Sequence, residues 1–184
     1  MNNIQNRNHI GKITASLLLA NLIAVVVGFL LTALFGVVFD GAFAWIVTLV
    51  TVIAYLFFIY HEGWARGSSD YNLVKFDRAG EQKWKGEVAG LCAAIPTILL
   101  AVLAMLSDAG AIHTVTMMGQ DLSVMLYRIW NVPFQFAFGA LESFPVLYFL
   151  PVPVMIAASS IGYRLGYRQI RLSDYIFYAR KKDE

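Results

Sequence analysis

The fold is decided by residues 13–39, which read ITASLLLANLIAVVVGFLLTALFGVVF. These twenty-seven residues include no Asp, Glu, Lys, Arg or His, and Lys12 and Asp40 flank them. A helix of this length rises about 40 Å, which exceeds the roughly 30 Å hydrocarbon core of a bilayer. The stretch therefore predicts a membrane-spanning helix, and it is longer than the apolar core of a cleavable signal peptide, about 7–15 residues.

The composition of the whole chain agrees with a membrane protein. Of its 184 residues, 59% are hydrophobic and 14% are charged, against about 25% charged residues in soluble domains. The mean hydropathy is +0.63. Cys92 lies in an apolar run and is the only cysteine of the sequence. A single cysteine excludes an internal disulfide and a cysteine-based metal site.

Four apolar stretches predict a single all-α bundle that crosses the membrane four times. The predicted spans are residues 13–39, 42–60, 88–107 and 143–163. The short Asp40–Gly41 turn makes the first two spans an antiparallel hairpin, and the last two form a second hairpin. The other segments are a polar N-terminal tail, a charged loop, an outer loop and a basic C-terminal tail, at 1–12, 61–87, 108–142 and 164–184.

The outer loop contains an amphipathic stretch at residues 121–142. Its polar positions recur every three or four residues and form one helical stripe, made by Arg128, Asn131, Gln135, Gly139 and Glu142. A helix with this pattern is expected to lie in the membrane interface. As a fifth span it would hold Arg128 and Asn131 at mid-depth, and the pattern alone leaves open whether it lies on the membrane or dips into it.

The distribution of basic residues predicts the orientation. With four spans and an internal N-terminus, thirteen of the fourteen Lys and Arg residues face the cytoplasm and only Arg128 lies outside. A fifth span would move the basic tail outside, against the positive-inside rule. Both termini are therefore expected to be cytoplasmic. In its general character the chain resembles small inner-membrane proteins of bacteria.

Two stretches of the chain echo each other. Tyr60-His-Glu-Gly63-Trp64 follows the second span, and Tyr163-Arg-Leu-Gly166-Tyr167 follows the fourth. Each is followed by Ser-Asp-Tyr, so the two hairpins are candidates for a parallel internal repeat. The alternative is chance likeness, since helices that leave a bilayer often end in aromatic residues, glycine and arginine.

Small residues at four-residue spacing predict close contacts between helices. They are candidates for packing within the chain or for an oligomer interface, and they include Gly28, Thr32, Gly36, Gly90, Gly162 and Gly166. Asn21 is a polar residue inside the first span, so it is expected to face protein. Pro96, Pro151 and Pro153 are expected to kink the third and fourth helices, either to fill a bundle or to line a cavity.

The best functional candidate is the cytoplasmic face, where bases, acids and aromatic residues alternate just beyond the spans. Its candidate residues are Trp64, Arg66, Asp70, Arg78, Trp84, Arg164, Arg168, Arg171 and Asp174. Basic and aromatic residues at this depth attract anionic lipid headgroups. The interleaved acids also predict a structured docking surface, formed by loop and tail together, for a protein partner.

The leading hypothesis is a non-enzymatic membrane protein that acts as a homo-oligomer or as an accessory subunit of a transport or envelope complex. The alternatives are a small-solute transporter or channel formed by oligomerisation, and then a membrane-embedded enzyme. The absence of ionisable residues deep in the predicted spans argues against ion-coupled transport by one chain. The sequence contains no recognisable catalytic, cofactor or metal motif, and no nucleic-acid partner is predicted.

Overall fold

The computed structural model describes residues 2–36, 44–76, 84–112, 115–117, 120–134 and 144–170. These residues form five α-helices, which are α1 (Asn2–Gly36), α2 (Ala44–Lys75), α3 (Lys85–Asp108), α4 (Leu122–Trp130) and α5 (Pro151–Tyr167). Two short 3-10 turns cover Val132–Phe134 and Pro145–Phe149. A two-residue antiparallel pair joins β1 (Thr116–Met117) to β2 (Gln120–Asp121). The predicted all-α polytopic fold is confirmed.

Four segments of the described chain are long and apolar enough to cross a membrane. They are Ile10–Phe35, Ile46–Lys75, Lys85–Asp108 and Pro145–Tyr167. Each presents large apolar side chains outward, such as Phe29, Phe57, Leu99 and Ile161. The same helices bury small and aromatic side chains in a common core, including Leu17, Ile59, Ala93, Met155 and Tyr163.

The structure corrects the sequence prediction at the start of the first helix and at the end of the second. Residues 2–12, predicted as a polar tail, belong to α1. The second helix does not end at Tyr60, because α2 continues to Lys75 and takes in the first part of the predicted loop. The cause is burial: Gly63, Gly67 and Asp70 in this extension are covered by the rest of the bundle, so tertiary contacts hold a stretch that reads as polar.

Helices α2 and α5 run parallel and pack through reciprocal glycines. A Cβ added at Gly67 would overlap the main-chain oxygen of Tyr163, and one added at Gly166 would overlap that of Trp64. Gly63 and Gly162 make the corresponding pair of contacts one turn earlier. Small residues at this spacing let two backbones approach closely enough for Cα–H···O contacts.

These contacts pair the two halves differently from the sequence echo. They match Gly63 with Gly162 and Gly67 with Gly166, whereas the echo aligns Gly63 with Gly166. The two alignments differ by four residues, about one helical turn. An internal repeat stays a prediction, because contacts between the two helices do not test how the two halves align.

The segment that starts with α4 enters the bundle. Trp130 Nε1 donates to Thr97 Oγ1 near the middle of α3 at 2.9 Å. Beyond it, Val132 and Pro133 lie against Gly28 of α1, and the Phe134 ring meets Tyr55 of α2 edge-on at 5.1 Å. The end of this segment that the structure describes, Val132–Phe134, is therefore buried against α1 and α2. The position of α4 in the membrane interface stays a prediction.

The fourth span changes from a 3-10 turn to an α-helix where its prolines occur. A 3-10 turn covers Pro145–Phe149, and α5 begins at Pro151. Pro151 and Pro153 therefore stand in the first turn of α5, where a missing N–H costs little, and they do not kink the middle of a helix. Pro96 lies inside α3, which continues through it from Lys85 to Asp108.

Candidate docking surface

One end of the bundle collects charged side chains from α2, α3 and α5. We call it the charged end, and it is defined by Glu62, Arg66, Asp70, Lys85, Glu87 and Arg164. The opposite end is defined by Asp108, Asp121 and Tyr148. The charged end lies on the side that the sequence assigns to the cytoplasm.

The centre of the charged end is a buried ion pair that joins three helices. Lys85 Nζ lies 3.0 Å from Asp70 Oδ2, and the two side chains are only 3% and 5% exposed. Tyr163 of α5 donates its hydroxyl to the same Asp70 oxygen at 2.7 Å. Because a buried charge is costly without a partner, these three groups depend on one another and fix how α2, α3 and α5 meet.

A second group surrounds Glu87 at the edge of the same surface. Ser160 donates to Glu87 Oε1 at 2.9 Å, and Arg164 pairs with the same carboxylate. The Arg164 guanidinium also stands 6.0 Å from the centre of the Trp84 ring. Arg164 is 58% exposed, so this pair contributes little stability by itself. Its main effect is to order the start of α3 against α5.

Helix α1 joins this surface through Arg66. Arg66 Nε donates to Glu62 Oε1 at 2.9 Å within α2. The same guanidinium donates to Ser16 Oγ of α1. Glu62 and Ser16 hold the Arg66 guanidinium between α1 and α2, so all four spanning helices contribute to the charged end.

The start of the C-terminal tail is tied to α2. Trp64 Nε1 donates to the main-chain oxygen of Ile170 at 2.8 Å. Gln169 Nε2 donates to Ser68 Oγ at 3.0 Å. Gln169 has a positive φ of 57°, which turns the chain as it leaves α5. The loop side and the tail side of the predicted docking surface are thus connected by direct contacts.

Two large apolar side chains stay uncovered at the charged end. Trp84 is 68% exposed and Phe76, directly after α2, is 67% exposed. Arg168 is also exposed beyond the end of α5. Aromatic side chains beside ordered charges are typical of membrane interfaces and of protein contacts.

The glycine positions are used for contacts within the chain. A Cβ added at Gly90 would overlap Ser159 Oγ of α5, and a Cβ added at Gly28 would lie 3.4 Å from Val132 Cγ1. Gly162 and Gly166 are covered by α2. Thr32 is half-buried, and Gly36 ends α1. Ala20, Ala24 and Gly28 follow one another at four-residue spacing in α1, and all three are buried in the chain's own interior.

The buried amide side chains of Asn21 and Asn131 have different surroundings. Asn21 is 3% exposed, as expected for a polar residue inside a span, and its Nδ2 has no hydrogen-bond acceptor among the described residues. Asn131 is also buried, and its Nδ2 donates to Tyr127 O at 3.1 Å. Tyr127 in turn donates to Tyr148 O at 2.9 Å, which fixes α4 to the fourth span.

Some predicted residues lie outside the described part of the chain. They are Arg78, Gln135, Glu142, Arg171 and Asp174. The sequence indicates Lys85 and Glu87 only as part of a charged segment and Tyr163 only as part of the echo, and not as partners in a site. No spacing connects them to Asp70 or Arg164, because partners from different helices meet only in the folded bundle.

Within the described ranges, no three His, Cys, Asp or Glu side chains come together as a metal site. Comparisons with protein families, with curated proteins and with solved structures find no match for the chain.

Proposed function

We propose that this chain is a non-enzymatic membrane protein that acts by association, and that the charged end is its docking surface. The observation that carries the proposal is the junction of α2, α3 and α5 with the start of the tail at this end. Asp70, Lys85 and Tyr163 fix the three helices, while Trp64 and Ile170 attach the tail. A surface that is held in this way presents Phe76 and Trp84 in a defined arrangement.

The proposed setting is the bacterial inner membrane, with both termini in the cytoplasm. Charge asymmetry in the sequence supports it, since four spans with an internal N-terminus place thirteen of the fourteen Lys and Arg residues in the predicted cytoplasmic segments. Anionic headgroups are expected to contact the exposed bases there. The protein partner is either a second copy or a larger membrane complex, and these two are separate outcomes of one experiment.

The experiment measures the mass of the protein in mild detergent, by light scattering after size exclusion, beside cross-linking in native membranes. The test variant is Phe76→Ser with Trp84→Ser. The matched control is Phe144→Ser with Val146→Ser, which removes exposed apolar side chains, 62% and 74% exposed, at the opposite end.

We expect wild type and control to give the same assembly, and the test variant to give a single chain. An assembly of one polypeptide identifies a homo-oligomer, and a second polypeptide cross-linked in fixed ratio identifies an accessory subunit. A wild-type chain that is monomeric and uncross-linked in its own membrane contradicts the proposal, as does a test variant that assembles like the control.

Transport is the second candidate, and the entry of α4 into the bundle favours it. Irregular backbone at membrane depth is tolerated where protein covers it or where it lines a cavity, and interrupted helices form the substrate sites of many transporters. Here Val132–Phe134 supplies irregular backbone within the bundle, and the fourth span changes from a 3-10 turn to an α-helix at Leu150. Solute flux into liposomes tests this candidate, and unchanged selectivity in Arg128→Ala would remove Arg128 from a transport path.

A further inference from the structure

A second candidate site lies away from the charged end, between α1 and α4. It is an open cleft of about 490 Å³. Helix α1 contributes Phe29, Thr32 and Ala33 to its lining, and the other wall includes Gln120, Arg128 and Ile129. None of these side chains takes part in the ion pairs of the charged end.

The position of the cleft determines whether its opening faces the hydrocarbon or the headgroup region of a membrane. Phe29, Thr32 and Ala33 fall within the apolar segment Ile10–Phe35, close to its end. Phe29 is 58% exposed and Ile129 is 46% exposed, so the rim of the cleft is apolar and open to the outside of the bundle. In a membrane this opening faces lipid, and the end near Gln120 faces the headgroup region.

The chemistry of the lining changes along the cleft. Phe29, Ala33 and Ile129 form an apolar wall, which suits a hydrocarbon chain. The charged side chain among the lining residues is a cation, Arg128. A guanidinium matches a phosphate with two parallel hydrogen bonds, and such a pair is strengthened where water is scarce. An apolar wall with one guanidinium among its lining residues fits an anionic amphiphile.

We propose that this cleft binds one anionic phospholipid of the bilayer, with its phosphate on Arg128 and an acyl chain along Phe29, Ala33 and Ile129. The site differs from the headgroup contacts expected at the charged end, because it lies at the other end of α1 and holds a chain as well as a headgroup. It also gives Arg128, the one base predicted to lie outside, a role independent of docking.

The experiment is native mass spectrometry of the full chain in a non-ionic detergent, after delipidation. Phosphatidylglycerol is titrated in, and phosphatidylcholine with the same acyl chains is titrated in parallel. Arg128→Gln removes the cation, and Ala33→Trp fills the apolar wall while Arg128 stays. The matched controls are Arg168→Gln, an exposed base at the charged end, and Ala157→Trp, an exposed alanine of α5 outside the cleft.

We expect wild type to bind one phosphatidylglycerol, and Arg128→Gln to weaken this binding about tenfold, the effect of one hydrogen bond to a charged group. Ala33→Trp should abolish binding, and both controls should bind like wild type. If Ala33→Trp does not fold, as judged by circular dichroism, Thr32→Phe fills the same wall.

Three results would overturn the proposal. The first is wild-type affinity in the filled variant, which would place the lipid elsewhere on the surface. The second is equal affinity for the two lipids with no effect of Arg128→Gln, which would leave only general adhesion of lipid to an apolar helix. The third is displacement of the lipid by inorganic phosphate at similar concentration, which would identify a site for free phosphate.

Discussion

The main-chain oxygen of Trp64 in α2 occupies the space that a Cβ on Gly166 of α5 would need. The contact has a counterpart, in which the oxygen of Tyr163 occupies the space beside Gly67. Two parallel helices thus approach each other through glycine on both sides. This contact sets the distance between α2 and α5, and the charged end is built on it.

Gly166→Ala should therefore destabilise the bundle. The added methyl group has to push α2 and α5 apart, and overpacking of this kind typically costs about 1–3 kcal/mol. Thermal unfolding in detergent measures the effect. Gly11→Ala is the control, because nothing lies within 4 Å of its Cβ position in α1 and alanine is the better helix former. Equal melting temperatures for Gly166→Ala and wild type would contradict the close approach.

Loss of one member of the buried ion pair should cost more than loss of both. Asp70→Asn leaves Lys85 as a buried charge without its counterion, and breaking a buried pair typically costs about 3–5 kcal/mol. Lys85→Met combined with Asp70→Asn removes both charges and should recover a large part of that loss. Chemical denaturation of the purified protein compares the variants. A double variant less stable than either single variant would show that the two charges are not coupled.

The contact between Gly28 and the buried 3-10 turn predicts a sharp size limit. Gly28→Ala should be tolerated, because its Cβ would be 3.4 Å from Val132 Cγ1 and 3.5 Å from Pro133 Cγ. Gly28→Leu should expel residues 132–134 from the bundle. Hydrogen exchange of the peptide that contains α4 and this turn should rise in the leucine variant alone. Equal exchange in both variants would mean that the segment does not pack against α1.

The indole of Trp64 should protect the start of the C-terminal tail. Trp64→Phe keeps an aromatic ring but removes the 2.8 Å hydrogen bond to Ile170 O. Tryptic cleavage after Arg168 should become several times faster, since cleavage needs local opening of the chain. Trp84→Phe is the control, because Trp84 is 68% exposed and remote from Ile170 in the chain. Similar cleavage rates in the two variants would remove the proposed anchor.

The sequence predicts those parts of the fold that depend on one helix at a time. The first span and α3 are long apolar runs, and their existence follows from residue type alone. The extension of α2 to Lys75 could not be recognised, because Gly63 and Gly67 indicate a helix end when the helix that covers them is unknown. The burial of Val132–Phe134 was equally hidden, since the polar stripe of this segment does not indicate that Trp130 contacts Thr97 of α3.

For the charged end, the sequence indicates which charged and aromatic residues follow the spans, but not which of them contact one another. Trp64, Asp70, Trp84 and Arg164 were selected because bases and aromatic residues follow the spans. Lys85 was not selected, since its partner lies fifteen residues earlier in the chain and on another helix. Local periodicity reports which residues share a face, and it carries no information about which faces meet.

A four-span bundle whose charged end faces the cytoplasm is tested most directly by the side of the membrane from which each end reacts. Single cysteines replace Asn72 at the charged end and Gln120 at the opposite end, both exposed, in a Cys92→Ser background. A membrane-impermeant maleimide is applied to intact cells and to permeabilised cells. We predict that Gln120→Cys is labelled in intact cells and Asn72→Cys only after permeabilisation. Labelling of Asn72→Cys from outside would contradict the account.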